Sequence, residues 1–386
     1  MTSHLKTYFT HRQSLALGAV FISIGFLFGN WATLIPFVKQ KFGLDDAQLG
    51  LLLLCLPFGA GLFNPVSTIL INKIGMKNTT IGGIIYTALV YTIPLSANHI
   101  AMVGLGLFLI GTGIAITNVA MNTCVTALEH QEEISIISTS HGMFSVGLMI
   151  GSFIASFMIG LGVQPNLQMY LMSVFVILLT LYNLKRIMSI KDEKVSDHEG
   201  ESKFSFPKGA LSMMVLVSLC VNITEGTMAD WTAVYMRDVV ETNPYFMGWG
   251  LAGYSMFMSA GRLLGDSLAP RYGANNVIKI GGFIAAAGLI LAVTLPYTAT
   301  SVIGFAMVGA GVSCGAPILY GAAARVPNMA PGAGLAIMNT FSIFGFLAGP
   351  VVIGFISKAI NLPFAFLVIA SLALLWSYLV TKVKLY

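Results

Sequence analysis

The chain has 386 residues, of which 56% are hydrophobic and only 9% charged. A water-soluble globule of this size cannot bury so much apolar surface, and soluble domains carry roughly a quarter charged residues. The composition excludes a soluble domain and makes lipid the solvent.

The charges fall in short clusters separated by apolar stretches of about 20 residues, the length that crosses a bilayer as a helix. A closed barrel of strands needs alternating polar and apolar residues in segments of roughly ten, whereas these runs are continuous, so helices are predicted. The first run, about Leu15 to Pro36, follows a short basic leader with Lys6 and Arg12. It is too long for a secretory signal, lacks a small-residue cleavage site and continues into further spans. Polar interruptions place six spans near 14–37, 49–71, 78–96, 100–124, 137–162 and 166–185. Six more follow near 210–235, 245–268, 276–295, 299–322, 332–356 and 362–381.

Between the sets lies the one long polar segment, with Lys191, Asp192, Glu193, Lys194, Asp197, Glu199, Glu201 and Lys203 close together. It reads as a cytoplasmic linker. The expected division is an N-terminal six-helix half at 1–186, a linker at 187–209 and a C-terminal half at 210–386. Lys and Arg are retained on the cytoplasmic side of membrane proteins. With both termini inside, only Lys39, Lys41, Arg237 and Lys358 fall outside, and Arg262 lies within a span. An even helix count agrees.

Cys55, Cys124, Cys220 and Cys314 all sit inside predicted spans without paired spacing and read as small apolar residues. Neither a metal site nor a cofactor is indicated. Asn78-Thr79-Thr80 matches a glycosylation sequon but falls in a loop placed on the cytoplasmic side.

The halves repeat. Asn30-Trp31 in the first span matches Asp230-Trp231 in the seventh at an offset of 200. Gly50 matches Gly248, Gly111 and Gly113 match Gly309 and Gly311, and Gly147 and Gly151 match Gly345 and Gly349, all at an offset of 198. Single glycine matches are weak because glycine is common where membrane helices approach. Several matches in order at nearly one offset indicate a duplicated six-helix unit, the arrangement of major facilitator transporters.

The chain resembles that superfamily over its whole length, and within it a bacterial branch of inner-membrane proteins, the YbjJ-like group. The resemblance rests on Asn30-Trp31-Ala32-Thr33 with Pro36, His141-Gly142 with Gly147, Glu225-Gly226 with Asp230-Trp231, and Gly261-Arg262 with Gly265. It implies an all-α membrane protein with 12 transmembrane helices in two pseudo-symmetric halves, placed in the bacterial inner membrane, monomeric, and not an enzyme. No nucleic-acid partner is expected. The superfamily's loop motif between helices 2 and 3 carries an acid that is missing from Asn72-Lys73-Ile74-Gly75-Met76-Lys77. Its second copy, Gly265 through Gly273, has Pro270 in the acid's place, with Asp266 nearby. More distantly the pattern is similar to the fucose permease group of proton symporters. That group's helix 1 aspartate falls on Ala32 here and its helix 4 glutamate on Asn118, so a proton carrier has to lie elsewhere.

An ionisable residue within a span is a functional candidate by default. Glu225 lies near the middle of helix 7, where a carboxylate can be protonated from one side and released to the other as a cavity alternates. The competing reading is a carboxylate locked to a neighbouring helix. Asp230 sits about 140° further round the same helix, with capping or gating as its alternative. His141, near the start of helix 5 and on a face with Ser138 and Ser145, titrates in the physiological range but also reads as a hydrogen-bonded packing residue. Its repeat counterpart, Asn339, is also polar.

Asn118 and Asn122 are four apart and project to one side of helix 4, offering amides either to hydroxyl groups of a solute or to a neighbouring helix. Trp31 and Trp231 can supply flat faces for a sugar ring beside Asn30 and Asp230, or can anchor helix ends at the interface. Arg262 stands four residues before Asp266, the spacing of an ion pair on one helix face and a candidate gate.

The expected function is secondary active transport of a small polar solute, sugar- or polyol-like, coupled to protons by alternating access. The alternative is export of a drug or metabolite by proton antiport, hinted at by Gly345-x3-Gly349-Pro350-x3-Gly354. No His-Glu-x-x-His or Cys-x-x-Cys occurs, nor a phosphate-binding glycine loop with Lys.

Overall fold

The computed structural model describes residues 7–134, 136–191, 207, 209–326, 329, 333–383 and 385; most of the expected linker and the side chains of residues 264–267 and 336 lie outside them. The described residues are helical in the order α1 (Arg12–Phe42), α2 (Asp46–Leu53), α3 (Cys55–Ile74), α4 (Met76–Val90), α5 (Ile93–Ser96), α6 (Ile100–Glu132), α7 (Ile137–Gly160) and α8 (Pro165–Met188). Then follow α9 (Ala210–Asp238), α10 (Trp249–Tyr272), α11 (Ala274–Thr294), α12 (Thr298–Val312), α13 (Gly315–Ala323), α14 (Ala333–Ala359) and α15 (Leu362–Leu379). Among the described residues eleven helical segments are long and apolar enough to cross a membrane. The twelfth, α10, matches them in length but carries Arg262, Asp266 and Arg271 in its second half. The protein is thus the twelve-helix membrane protein that the sequence predicts.

Three predicted spans are broken: the second at Leu54, the third after Val90 and the tenth at Ser313-Cys314. The fourth runs eight residues past its predicted end, to Glu132, because its last turns are polar and do work outside the apolar window. There Glu129 accepts the backbone N–H groups of Ile136 (2.6 Å) and Ile137 (2.9 Å), satisfying donors that open α7.

The chain forms two compact units. One holds Met1–Gly43 and Cys55–Ser196, the other Leu44–Leu54 and Asp197–Tyr386. Their internal packing repeats. A methyl group added at Gly111 would land on the Leu56 carbonyl, and one at Gly309 on the Tyr254 carbonyl. Gly113 abuts Thr87, and Gly311 abuts Ala285; Gly147 abuts Ile22, and Gly345 abuts Asn222. The glycines are each displaced by 198 residues and their partners by 198, 198 and 200, so the repeat is one of contacts as well as of letters. Close backbone approach through small residues is how membrane helices gain packing energy without a hydrophobic drive between them.

At Gly151, which packs α7 against the Phe26 backbone, a larger side chain has no room. Gly151→Val is expected to cost about 1–3 kcal/mol through overpacking, read as a lowered thermal midpoint in detergent. Gly82→Ala, with open space around it, is expected to leave that midpoint unchanged.

The loop motif is also duplicated. Gly75 (φ 86°) and Gly273 (φ 83°) open α4 and α11 in backbone conformations that side chains resist. Two residues on, Lys77 donates from Nζ to the carbonyls of Met188 (3.4 Å) and Ile190 (2.9 Å), closing the end of α8. Asn275 does the same in the second unit, donating from Nδ2 to Val380 (2.6 Å) and Val383 (2.5 Å) beyond α15. The basic residue of a motif that lacks its acid therefore caps a helix end within its own unit.

In the second unit, α2 lies on α14. Gly50 meets Pro350 and Gly354, Ser357 donates to Asp46, and Lys358 Nζ lies 2.9 Å from Asp45 Oδ2. Asp45 also caps α2, accepting from the Gln48 backbone at 2.8 Å, while Gln48 Oε1 accepts from the Asp45 backbone at 3.1 Å. The Gln48 N–H, and then the Lys358 ammonium, hold the Asp45 carboxyl below the usual carboxylate range. A depressed carboxylate stabilises the fold above its unfolded pKa and loses that contribution as pH falls through the folded one. Asp45→Ala is therefore expected to lower the thermal midpoint at about pH 7 and to make no difference near pH 2, below both values; an equal loss at both would contradict the assignment.

Candidate functional site

The densest group of buried polar side chains with chemistry to offer lies in the second unit. On α9, Ser218, Asn222 and Glu225 recur at i, i+4 and i+7 and so share a face. Asn222 Nδ2 donates to Ser218 Oγ at 3.3 Å, and Ser218 Oγ lies 3.1 Å from Ser342 Oγ on α14. Tyr320, on α13, hydrogen-bonds Ser342 in turn and lies within electrostatic reach of Glu225. The glycines fix this arrangement: a methyl group added at Gly345 would stand 3.0 Å from the Asn222 Cβ, so the bare backbone lets α14 pack closely on α9.

Glu225 faces α10. Its Oε2 lies 3.6 Å from Arg262 Nη2, and both side chains are mostly enclosed, at 13% and 18% exposure. Its other oxygen, Oε1, is buried without a hydrogen-bond partner among the described residues. The hydroxyl of Tyr254, two turns before Arg262 on α10, is likewise buried and unpartnered, within electrostatic reach of both charges. The α10 backbone is set here by two close approaches, Gly309 on Tyr254 and Gly261 on Ser313, and by Cys314 Sγ donating to the Gly261 carbonyl at 3.4 Å. The break between α12 and α13 thus seats the turn that bears Arg262.

Such a group can do two things. It holds a proton acceptor whose partner is a permanent cation, so protonation of Glu225 removes the negative charge of the ion pair and weakens its hold on Arg262. It also offers donors and acceptors with capacity to spare, at Glu225 Oε1 and the Tyr254 hydroxyl, beside hydroxyl and amide groups that can exchange partners with a polar solute.

The remaining expected site residues are distributed. Arg262 pairs with Glu225, whereas the Asp266 side chain lies outside the described residues. Asp230 is partly buried and has no hydrogen bond or ion pair among the described residues. Asn118 and Asn122 meet as their spacing predicts, Asn122 Nδ2 donating to Asn118 Oδ1 at 3.0 Å and to its carbonyl at 2.8 Å, with Asn122 Oδ1 left unpartnered. His141 is exposed, edge-on to Phe21 with ring centres 5.4 Å apart. Asn339 is exposed.

Trp31 and Trp231 are fully buried, each with its indole N–H unpartnered among the described residues, so neither ring face is presented to a solute in this conformation. Asn30 is buried beside Trp31 with both amide atoms unpartnered. Among the described residues no three His, Cys, Asp or Glu side chains converge in the way a metal ion requires.

Tyr254, Tyr320, Ser218, Asn222 and Ser342 were not legible as site residues. Tyr254 has a signal in hindsight, because the duplicated packing puts Leu56 at its place in the first unit.

The Major Facilitator Superfamily model matches residues 16–326 and 214–384. The chain belongs to this superfamily. It is 32% identical over 362 residues to an uncharacterised transporter of that type from Yersinia pestis, covering 94% of this chain and 93% of that one. The superfamily's fold is equally plain in solved structures. A mutant of the nucleoside transporter NupG matches with a TM-score of 0.75 at 13% identity, covering 96% and 99% of the two chains. The fucose:proton symporter FucP of E. coli matches with a TM-score of 0.61 at 18% identity, covering 95% and 97%. As a member of the superfamily this protein is a membrane transporter of small molecules, not an enzyme.

Proposed function

We propose that the protein is a proton-coupled carrier of a small polyhydroxylated solute, with Glu225 as the proton acceptor and Arg262 as its internal counter-ion. The supporting observation is the Glu225–Arg262 pair flanked by unpartnered acceptor and hydroxyl capacity at Glu225 Oε1 and Tyr254. A neutral, closed ion pair is stable with the site empty, and protonation or a bound solute each offers one partner an alternative. In this reading the protein is an alternating-access carrier with halves 1–186 and 210–386, in the inner membrane with both termini cytoplasmic, and works as a monomer.

The solute class is supported by hydroxyl and amide lining at Asn222, Ser218, Ser342 and Tyr320. Asn118 and Asn122 offer amides of the same kind. NupG and FucP act on a nucleoside and on fucose, both rings with several hydroxyl groups. His141 and Asp230 remain further candidates for proton coupling, Asn30, Trp31, Trp231 and Asn339 for solute binding, and Arg262 and Asp266 for the gate. The export alternative draws nothing from its glycine run, because Gly354 is occupied in packing α14 onto Asp46 and Gly50.

Counterflow in proteoliposomes tests the solute class without requiring a proton gradient. A panel of hexoses, polyols and nucleosides is expected to contain an exchanged solute, and Asn222→Leu to weaken its half-saturation by about tenfold, the loss of one or two hydrogen bonds. Exchange confined to apolar cations would overturn the assignment.

A further inference from the structure

One end of the second unit holds a cavity of about 490 Å³ lined by Asn275, Asn276, Lys279, Thr381, Lys382 and Val383. It lies where the start of α11 meets the end of α15, at the membrane face that bears the C-terminus. Among the described residues its lining includes two ammonium groups and no carboxylate. The opening turn of α11 adds to that field: Gly273 supplies no side-chain cap and no acid stands in the first turn, so the amides that begin this 21-residue helix are uncapped by any side chain.

The duplicated loop motif shows what is different here. In the first unit the cation of this motif, Lys77, is consumed by the carbonyls of Met188 and Ile190. In the second unit the same capping is done by the neutral amide of Asn275, and the positive charge stands instead one turn on at Lys279 and across the cavity at Lys382. Capping is thus complete without either lysine. The level of the cavity is that of the membrane interface: exposed Tyr272 and Tyr378 flank it, with Arg271 and Lys382 placed over their rings at 5.3 and 4.9 Å. Aromatic rings with basic partners at such a level mark the headgroup layer.

We propose that this cavity binds the phosphate of an anionic phospholipid headgroup, clamped between Lys279 and Lys382 with Asn276 and Thr381 as neutral donors. The bound lipid ties the start of α11 to the end of α15 from outside, a charge-based tie that Lys77 provides from within the first unit. The assignment is independent of the solute and of proton coupling.

The test uses the full chain purified in neutral detergent, with phosphatidylglycerol, phosphatidylcholine and inorganic phosphate as separate probes, read by native mass spectrometry and thermal midpoint. Wild type is expected to retain phosphatidylglycerol over phosphatidylcholine and to be stabilised by it. Each lysine near an anionic surface is worth about a fivefold change in affinity, so Lys279→Gln with Lys382→Gln is expected to weaken retention by roughly 25-fold, and the paired Arg substitutions to keep it. Should the double Gln variant fail to purify, Lys382→Gln alone, at an exposed position, is expected to show its own fivefold loss. Stabilisation by inorganic phosphate but not by phosphatidylglycerol would overturn the lipid in favour of a free anion. Equal retention of both lipids, or retention unchanged in the Gln variants, would overturn the site.

Discussion

Arg262→Met is expected to destabilise the protein by about 3 kcal/mol, the scale on which removing one partner of an enclosed ion pair strands the other. Glu225 has no second cation among its described contacts, and its Oε1 is already without a hydrogen bond. The variant therefore leaves a carboxylate enclosed with nothing to satisfy it. Replacing both partners removes the stranded charge, so Glu225→Gln with Arg262→Met is expected to recover most of the loss, as paired replacement of buried ions by neutral groups does elsewhere. Thermal unfolding of the two single variants and the double variant in one detergent closes the cycle. Additive losses would show that the residues do not depend on each other and would remove the physical basis for a switch at this pair.

The second large effect is functional. Glu225→Gln keeps the shape of the side chain and its ability to donate and accept, but removes the group that takes up a proton. A carrier that couples through this residue is expected to retain solute exchange while losing accumulation against a gradient. Counterflow is thus expected to stay within about threefold of wild type, on the order of half a kcal/mol at the site, while the accumulation ratio under an imposed proton gradient falls to unity. A variant that loses both would place Glu225 in solute binding alone. Steady accumulation in the variant would move the coupling residue elsewhere, with Asp230 next in line as a partly buried carboxylate with no partner among the described residues.

The fold was legible to an unusual degree because lipid leaves a helix few ways to exist. Continuous apolar runs gave the twelve spans, and the spaced glycines gave the duplication, since glycine is selected wherever two backbones must meet. Gly111 with Gly309 and Gly147 with Gly345 turned out to meet equivalent partners. The breaks at Leu54 and at Ser313-Cys314 were not legible, for they fall in largely apolar stretches that no charged residue interrupts.

At the site, local spacing was informative and distance in sequence was not. Asn118 and Asn122 meet because four residues bring a helix back to the same side. The same rule pairs Arg262 with Asp266, whose side chain lies outside the described residues, and it gave no hint of the Glu225 contact that the tertiary fold makes from another helix. Symmetry between Trp31 and Trp231 suggested either a pair of ring faces or a pair of interface anchors, and both side chains are buried. Position in a repeat marks equivalent packing first, and a shared function only where the side chains remain accessible. Tyr254 escaped notice for a related reason: a tyrosine in an apolar helix looks like bulk until its hydroxyl is seen beside an ion pair.

Proton movement driven by solute is the most direct probe of the central claim. Proteoliposomes carrying an interior pH dye are given an exchanged solute, in wild type and in Glu225→Gln. Solute-dependent acidification of the lumen in wild type and none in the variant is the result expected of a proton-coupled carrier working through Glu225. A wild type that moves solute with no proton signal, and a variant that moves it equally well, would contradict the account.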